Sequence, residues 1–83
     1  MMYTVYVLGS TTRNYLYVGL TNNLQRRISQ HNDGHERTTR AYRPFQVVHT
    51  EEFSERLSAR LREKYLKSGV GKQFLKNKLT VLK

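Results

Sequence analysis

Residues 15–28 read YLYVGLTNNLQRRI, and this stretch contains the change of pattern that decides the fold. Residues 15–20 are rich in Tyr, Val and Leu, a composition typical of a β-strand. Residues 21–23 are Thr-Asn-Asn, types preferred at helix N-caps, and Asn22 begins a spacing that resembles a capping box. The stretch therefore predicts a strand over 15–20, followed by a helix from about residue 23 to about residue 32.

The residues on both sides of this stretch predict further strands and loops. Residues 3–8 alternate and are rich in Tyr and Val, and a turn cluster at 9–14 separates them from the second strand, which predicts an antiparallel hairpin. Residues 33–44 are basic, contain the single proline and show no apolar period, so we expect a loop there. A third strand is predicted over 45–50.

The C-terminal part of the sequence predicts two helices. Ser54 is placed to cap a helix over 55–67, residues 68–71 interrupt it, and a shorter helix is expected over 72–79. The element order is then β-β-α-β-α-α. This order predicts one α+β domain over 1–83, with a three-stranded antiparallel or mixed sheet flanked by helices.

The chain is small and strongly basic. Its 83 residues carry a net charge of +9, and residues 54–83 hold nine basic residues against two acidic ones. Such a charge attracts polyanions, so nucleic acid, an anionic membrane surface and acidic proteins are all compatible with it. Cysteine is absent, which excludes zinc fingers and thiol enzymes. The apolar runs are too short for a signal peptide or a membrane span, and we expect a soluble cytoplasmic protein.

The first predicted helix presents an arginine and a histidine beside its apolar stripe. Leu24 and Ile28 form that stripe, and Arg27 and His31 stand next to it, four residues apart. Both side chains are thereby positioned at the edge of the contact between helix and sheet while still reaching solvent. The alternative is an ordinary solvated helix flank, which this spacing alone does not exclude.

Two tyrosines of the predicted hairpin are the next candidates. Alternation places Tyr6 on the face opposite Val5, and it places Tyr17 on the same face as Gly19. Gly19, near the end of its strand, indicates a bulge or the close approach of another group. The alternative is that the tyrosines only pack their rings in the core and direct their hydroxyls to solvent at its edge.

The helix predicted over 55–67 carries two separate stripes. One is apolar and consists of Leu57, Leu61 and Tyr65. The other places Glu63 beside Ala59 and Leu66, an unusual position for an acid in so basic a segment. Glu63 is either one half of an ion pair with Lys67, four residues on, or a carboxylate kept for a metal ion.

Together these features resemble the GIY-YIG nucleases over essentially the whole chain. Thr4-Val5-Tyr6 stands where the family has Gly-Ile-Tyr, with Thr4 replacing the glycine, and Tyr17-Val18-Gly19 stands where it has Tyr-Ile-Gly. Further segments resemble the family in the same order, namely residues 21–32, 43–45, 51–53 and 59–67. Each motif is weak alone, whereas the ordered set is specific.

The resemblance implies a role for each matched side chain. Glu63 would be the one protein ligand of a Mg²⁺ or Mn²⁺ ion, with water and phosphate oxygens completing the coordination. Arg27 would contact the scissile phosphate and stabilise the developing charge. Tyr6 and Tyr17 would present hydroxyls to the attacking water, with Arg27 and the metal favouring a phenolate, and His31 would assist by hydrogen bonding. The implied reaction is hydrolysis of a phosphodiester bond.

The partner implied by charge and resemblance is DNA, with RNA as an alternative. The predicted nucleic-acid contacts are Arg26, Arg40, Arg43, Lys64, Lys67 and Lys72. The resemblance implies a repair or recombination-like role, and a protein partner to supply specificity, because the chain has no room for a recognition domain. Two alternatives stay open: a module of the same fold that binds nucleic acid without cutting it, and a basic ribosome- or nucleoid-type protein.

Overall fold

The computed structural model describes residues 1–81 and has the predicted element order. Residues 82 and 83, which the predicted domain includes, lie outside this range. A short 3-10 helix, Arg40–Tyr42, lies in the predicted loop. The main elements are β1 (Tyr3–Ser10), β2 (Leu16–Thr21), α1 (Leu24–Asn32), β3 (Phe45–Phe53), α2 (Arg56–Lys67) and α3 (Gly69–Val81).

β1 is the central strand of a sheet with the order β2-β1-β3. Both pairings are antiparallel, which decides between the two sheet types left open by the sequence. Tyr6 lies directly opposite Gly19 of the edge strand β2. Because side chains alternate along a strand, Tyr6 and Leu8 face one side of the sheet and Val5 and Val7 face the other.

Helices cover both faces of the sheet and create two apolar clusters. α1 covers the Tyr6 face, where Leu24 and Ile28 pack against Tyr6, Leu8 and Phe45. α2 and α3 cover the opposite face. The buried members of that second cluster are Val5, Val7, Val18, Ala59, Leu66 and Leu75. The site residues on α1 and on α2 therefore belong to different layers, separated by the sheet.

The residue that caps α1 differs from the one predicted. The side-chain oxygen of Asn23 accepts a hydrogen bond from the Arg26 backbone N–H at 3.1 Å, whereas Asn22 is exposed and does not cap the helix. Asn23 directly precedes the first helical residue, which is the position from which a short side chain reaches that N–H. Thr21 supports the cap, since its hydroxyl accepts the Asn23 N–H at 3.0 Å.

The start of α2 and the end of β3 also differ from prediction. The N-cap of α2 is Glu55, without a side-chain capping bond, so the prediction that Ser54 caps this helix is wrong. β3 continues to Phe53, beyond the predicted end at Thr50, because Phe53 still pairs with Tyr3.

α3 begins three residues earlier than its predicted start at Lys72. The hydroxyl of Ser68 accepts the Gly71 backbone N–H at 3.1 Å, which is an N-capping bond. Gly71 is buried, and a Cβ at this position would collide with the backbone of Tyr65 and Leu66. The glycine that suggested a break therefore lets α3 approach the end of α2 closely.

α2 turns its less apolar stripe toward the sheet. Leu57 and Leu61 are 70% and 60% exposed, whereas Ala59 and Leu66 are fully buried. Glu63 shares the buried face and is 7% exposed. The small side chain of Ala59 allows the helix axis to come near the sheet, and Glu63 is thereby held at the border of the core.

Candidate active site

Tyr6 and Tyr17 extend from neighbouring strands toward the same face of the sheet. Tyr6 belongs to the central strand and Tyr17 to the edge strand, and their ring centroids are 6.2 Å apart. Tyr6 is fully buried, whereas Tyr17 is partly exposed. Of the two, Tyr17 is the one that a ligand on the surface of the protein can touch.

His31, in the last turn of α1, lies beneath both tyrosines and is fully buried. Its ring centroid is 4.6 Å from that of Tyr17, and its Nε2 atom is 3.2 Å from the Tyr6 hydroxyl. Burial and the charge of Arg27 lower the pKa of His31. A neutral imidazole is therefore favoured at this position.

Thr39 selects the tautomer of His31. The Thr39 hydroxyl donates to the Glu36 carbonyl oxygen at 3.5 Å, so it is free to accept the proton on His31 Nδ1, 3.0 Å away. With the proton on Nδ1, Nε2 is an acceptor and receives a hydrogen bond from Tyr6. This assignment orders a chain of donors that runs from Tyr6 through His31 to Thr39.

Arg27 joins the same cluster from the first half of α1. Its Nε donates to the Tyr6 hydroxyl at 3.4 Å, and its Nη1 donates to Gln30 at 2.8 Å and to Glu36 at 3.3 Å. The hydrogen bond with Tyr6 and the carboxylate of Glu36 raise the pKa of Arg27, so its charge is permanent. About a quarter of the side chain, 24%, remains exposed, which leaves the guanidinium accessible to an anion.

The environment of Tyr6 opposes the phenolate implied by the resemblance. Burial raises the pKa of Tyr6, and the hydrogen bond from Arg27 lowers it without cancelling the effect of burial. Arg27 thus acts in the expected direction, but desolvation of the buried phenol outweighs it. In this structure the Tyr6 hydroxyl is a neutral donor to His31.

Glu63 lies on the other side of the sheet and forms no hydrogen bond or ion pair with Tyr6, Tyr17, Arg27 or His31. Its two carboxylate oxygens pair with Arg60 at 2.7 Å and with Lys67 at 3.0 Å. Burial alone would raise the pKa of Glu63, but the hydrogen bonds from Lys67 and Arg60 outweigh it, and the net effect lowers the pKa. The carboxylate is therefore ionised at neutral pH.

An open pocket of about 550 Å³ gives access to Glu63. Glu63, Arg60 and Arg56 line one wall of this pocket. The opposite wall includes Leu20 and Thr21, the last two residues of the edge strand. Because Tyr17 belongs to the same strand, the pocket and the cluster around Tyr6 border opposite sides of one sheet edge.

The side chains fit a divalent metal only as a site shared with the substrate. Within residues 1–81 no group of three or more His, Cys, Asp or Glu is arranged to hold a metal ion. Glu63 alone supplies a charged oxygen donor of the kind that Mg²⁺ and Mn²⁺ prefer. Such a site fits only if water and phosphate oxygens complete the coordination, and if Arg60 and Lys67 release an oxygen of the carboxylate.

The residues predicted to contact nucleic acid all have exposed side chains. Two of them already have partners within the protein: Lys67 is paired with Glu63, and the Nε of Arg40 donates to the Gly34 carbonyl at 2.8 Å. The others reach solvent from α1, the loop before β3, α2 and α3. They are Arg26, Arg43, Lys64 and Lys72.

The structure adds residues that the sequence reading missed. Arg56 and Arg60 lie with Glu63 in the pocket, and the spacing of positions 56, 60, 63 and 67 shows them to be one helical stripe. A helical wheel that extends from Glu63 toward both ends of α2 identifies these residues from the sequence alone. Glu36 and Thr39, which hold Arg27 and His31, lie in a segment without periodicity and leave no such signal.

The family model of the GIY-YIG catalytic domain matches residues 2–78. The chain belongs to the GIY-YIG family. The matched range includes the hydrogen-bonded cluster around Tyr6 and the pocket that contains Glu63. Membership of this family supports a nuclease-like role.

The chain is also similar to several UPF0213 proteins, one of which has a solved structure. A UPF0213 protein of Natronomonas pharaonis is 42% identical over 65 residues, covering 77% of this chain and 75% of the relative. A UPF0213 protein of Bacillus velezensis is 39% identical over 69 residues, covering 78% and 70%. The solution NMR structure of UPF0213 protein BH0048 from Bacillus halodurans is 31% identical, with a TM-score of 0.54 over all of this chain and 86% of that one. The predicted fold is thereby confirmed.

None of the helices within residues 1–81 combines the length and the apolar character needed to cross a bilayer.

Proposed function

We propose that this GIY-YIG domain is an endonuclease that hydrolyses phosphodiester bonds of DNA with the help of Mg²⁺ or Mn²⁺. The observation that carries the proposal is the junction of Tyr6, Arg27 and His31 in one hydrogen-bonded cluster beside Tyr17. An ionised Glu63 stands across the same sheet edge. A protein that only binds nucleic acid needs cations, but it does not need a buried tyrosine–histidine relay or a lone carboxylate.

Arg27 is the residue proposed to hold the phosphate. Its guanidinium is partly exposed, permanently charged and already oriented by three acceptors, so its position changes little when substrate binds. A cation fixed in advance stabilises the extra negative charge of a pentacoordinate phosphate more than it stabilises the ground state.

Tyr17, Tyr6 and His31 form the proposed path for the proton. Tyr17 is accessible and orients the attacking water, while Tyr6 and His31 lie behind it. The proton of Tyr6 points toward the lone pair of His31 Nε2, so Tyr6 can pass its proton to His31 if the bound substrate brings a donor within reach of the buried Tyr6 oxygen. This relay does not require a stable phenolate on Tyr6, whose pKa is raised.

Glu63 would hold the divalent ion, and Arg60 and Lys67 flank it. When bound, the ion would supply charge neutralisation and activation of water at a phosphate that spans the sheet edge between Glu63 and Arg27. The exposed cations named above bind the DNA backbone, so affinity falls steeply with salt concentration. The proposal includes a cytoplasmic repair or recombination-like role with a protein partner that supplies specificity.

One set of observations favours the alternative of a module that binds without cutting. Arg27 is paired with Glu36, Glu63 is paired with two cations, and Tyr6 is held neutral. A site whose charges are all satisfied by the protein itself has low activity until a ligand replaces these partners. The alternative predicts binding of DNA or RNA without products.

The deciding experiment compares cleavage by the wild type and by Glu63→Gln. Labelled single-stranded, duplex, nicked, flap and branched DNAs, with one RNA, are incubated with Mg²⁺ or Mn²⁺. We expect metal-dependent products from the wild type and none from Glu63→Gln, with DNA binding retained or tighter, because the variant loses one negative charge. Glu52→Gln is the matched control, since it removes an exposed acid from β3. Equal cleavage by Glu63→Gln and wild type would sink the proposed role of Glu63.

A further inference from the structure

The Glu63 carboxylate is held on both sides by cations of its own helix. Arg60, one turn before it, donates Nη1 to one oxygen at 2.7 Å, and Lys67, one turn after it, contacts the other oxygen at 3.0 Å. The Glu63 side chain is only 10% exposed, whereas those of Arg60 and Lys67 are 52% and 47% exposed. The anion is therefore fixed at the border of the core, and its two partners are free to move into solvent.

These two cations compete with any other cation for the same oxygens. A divalent ion that approaches Glu63 meets two positive charges within hydrogen-bonding distance of its ligand, which reduces the gain from binding. A phosphodiester group shares one negative charge between two oxygens, as a carboxylate does, and both Arg and Lys bind it. A phosphate in the pocket that Arg60 lines can therefore draw Arg60 away from Glu63. Lys67 does not line the pocket, but its side chain is 47% exposed and can turn toward a phosphate outside it.

We propose that Arg60 and Lys67 form a clamp that keeps Glu63 from binding a metal ion until a nucleic-acid phosphate takes over the two cations. The inference rests on the proposed function, since it concerns the same carboxylate. In the free protein the clamp keeps metal affinity low. In the complex the two cations hold a phosphate of the nucleic-acid backbone, so metal and nucleic acid bind cooperatively, each raising the affinity of the other by the same factor.

The clamp is tested first by Mn²⁺ binding to the protein without nucleic acid, measured by isothermal titration calorimetry. Arg60→Gln and Lys67→Gln should each bind Mn²⁺ about three- to fivefold more tightly than the wild type, the range expected for partly exposed ion pairs. Lys64→Gln is the matched control: it removes the same charge from the same helix, and Lys64 takes no part in the ion pairs with Glu63. It should bind Mn²⁺ with nearly the wild-type affinity. Lys67→Arg retains the clamp and should also match the wild type.

The second measurement addresses the exchange of partners. Mn²⁺ titrations are repeated with a short duplex whose phosphorothioate linkages slow cleavage, and binding to the DNA itself is subtracted with Glu63→Gln. The wild type should bind Mn²⁺ several-fold more tightly with the duplex than without it. The double variant Arg60→Gln/Lys67→Gln should show no such gain. Circular dichroism establishes that each variant is folded before its titration is interpreted.

Three results would overturn the clamp, and they separate it from the proposed function. If Glu63→Gln abolishes Mn²⁺ binding but the clamp variants match the wild type, the clamp is wrong and the proposed metal ligand stands. If Lys64→Gln gains as much as Lys67→Gln, the effect is one of net charge and the clamp is wrong. If Glu63→Gln binds Mn²⁺ as well as the wild type even with the duplex present, the clamp and the proposed metal site are both wrong.

Discussion

The hydroxyl of Tyr6 lies directly over Gly19, the residue opposite it on the edge strand, and occupies the space of any side chain at that position. A Cβ on Gly19 would overlap the hydroxyl and the ring of Tyr6. The glycine is therefore required by close approach and not by backbone conformation. It allows the hydroxyl to reach His31 and Arg27 at the sheet edge.

Gly19→Ala should displace the Tyr6 ring and disturb its hydrogen bonds with His31 and Arg27. We expect a loss of about 1–3 kcal/mol in the free energy of unfolding, as for an overpacked core, together with a loss of cleavage. Urea denaturation and single-turnover cleavage measure the two effects. Gly69→Ala is the control, since no atom lies within 4 Å of a Cβ there. Similar behaviour of the two variants would contradict the packing argument.

Arg27→Ala should lower the cleavage rate at saturating DNA by about 10²-fold or more, the scale of removing one well-placed electrostatic donor. Arg26→Ala is the matched control, because Arg26 is the exposed neighbour on the same helix and should affect affinity only. The thermal stability of both variants is measured in parallel, since Arg27 also bonds Gln30 and Glu36. An equal, small effect in both variants would make Arg27 a surface residue.

Glu51 predicts a pH dependence of stability. Arg62 donates to its two oxygens at 2.9 and 3.0 Å, and His49 Nε2 lies 2.7 Å from one of them. Burial alone would raise the pKa of Glu51, but the hydrogen bonds from Arg62 and His49 outweigh it and lower the pKa. A carboxyl whose pKa is lowered by folding stabilises the protein above its ordinary value of 4.5, and this contribution disappears as the pH falls through the folded value.

The test of this dependence is denaturation of the wild type and Glu51→Gln across the acid range. At pH 7 we expect Glu51→Gln to be less stable by about 1–3 kcal/mol, the scale of hydrogen bonds to a charged group. The difference should shrink below about pH 4.5, as linkage requires. Glu52→Gln, an exposed neighbour on β3, should follow the wild type throughout. A difference that stays constant with pH would refute the assignment.

Alanine substitutions in the two stripes of α2 should differ strongly in how much they lower the free energy of unfolding. Leu66→Ala removes a fully buried side chain and should cost about 2–5 kcal/mol of unfolding free energy. Leu61→Ala removes a side chain that is 60% exposed and should change stability by less than about 0.5 kcal/mol. Chemical denaturation of the two variants measures both values. A larger loss of stability for Leu61→Ala than for Leu66→Ala would show that α2 packs on the sheet with a different face from the one in this structure.

Local sequence patterns determined the order of the elements and half of the candidate site. Alternation along residues 3–8 and 15–20 predicted that Tyr6 faces away from Val5 and that Tyr17 shares a face with Gly19, and the i, i+4 spacing of Arg27 and His31 placed both beside the stripe of α1. These statements depend only on strand and helix periodicity. The sequence therefore sufficed for the candidate residues and the resemblance to the GIY-YIG family, whereas the register of β1 and β2 brings the two tyrosines to one face of the sheet.

Only the tertiary structure decided which stripe of α2 meets the sheet and how each charge is paired. Composition favours Leu57 and Leu61 as the packed stripe, yet the buried face is the one with Ala59 and Glu63, because packing depends on where the helix docks as well as on hydropathy. Arg27 pairs with Glu36, which lies in the loop after α1. Because that loop shows no periodicity, no sequence pattern predicts the pair. The raised pKa of Tyr6 comes from desolvation by neighbours distant in the chain, a sum that no local pattern contains.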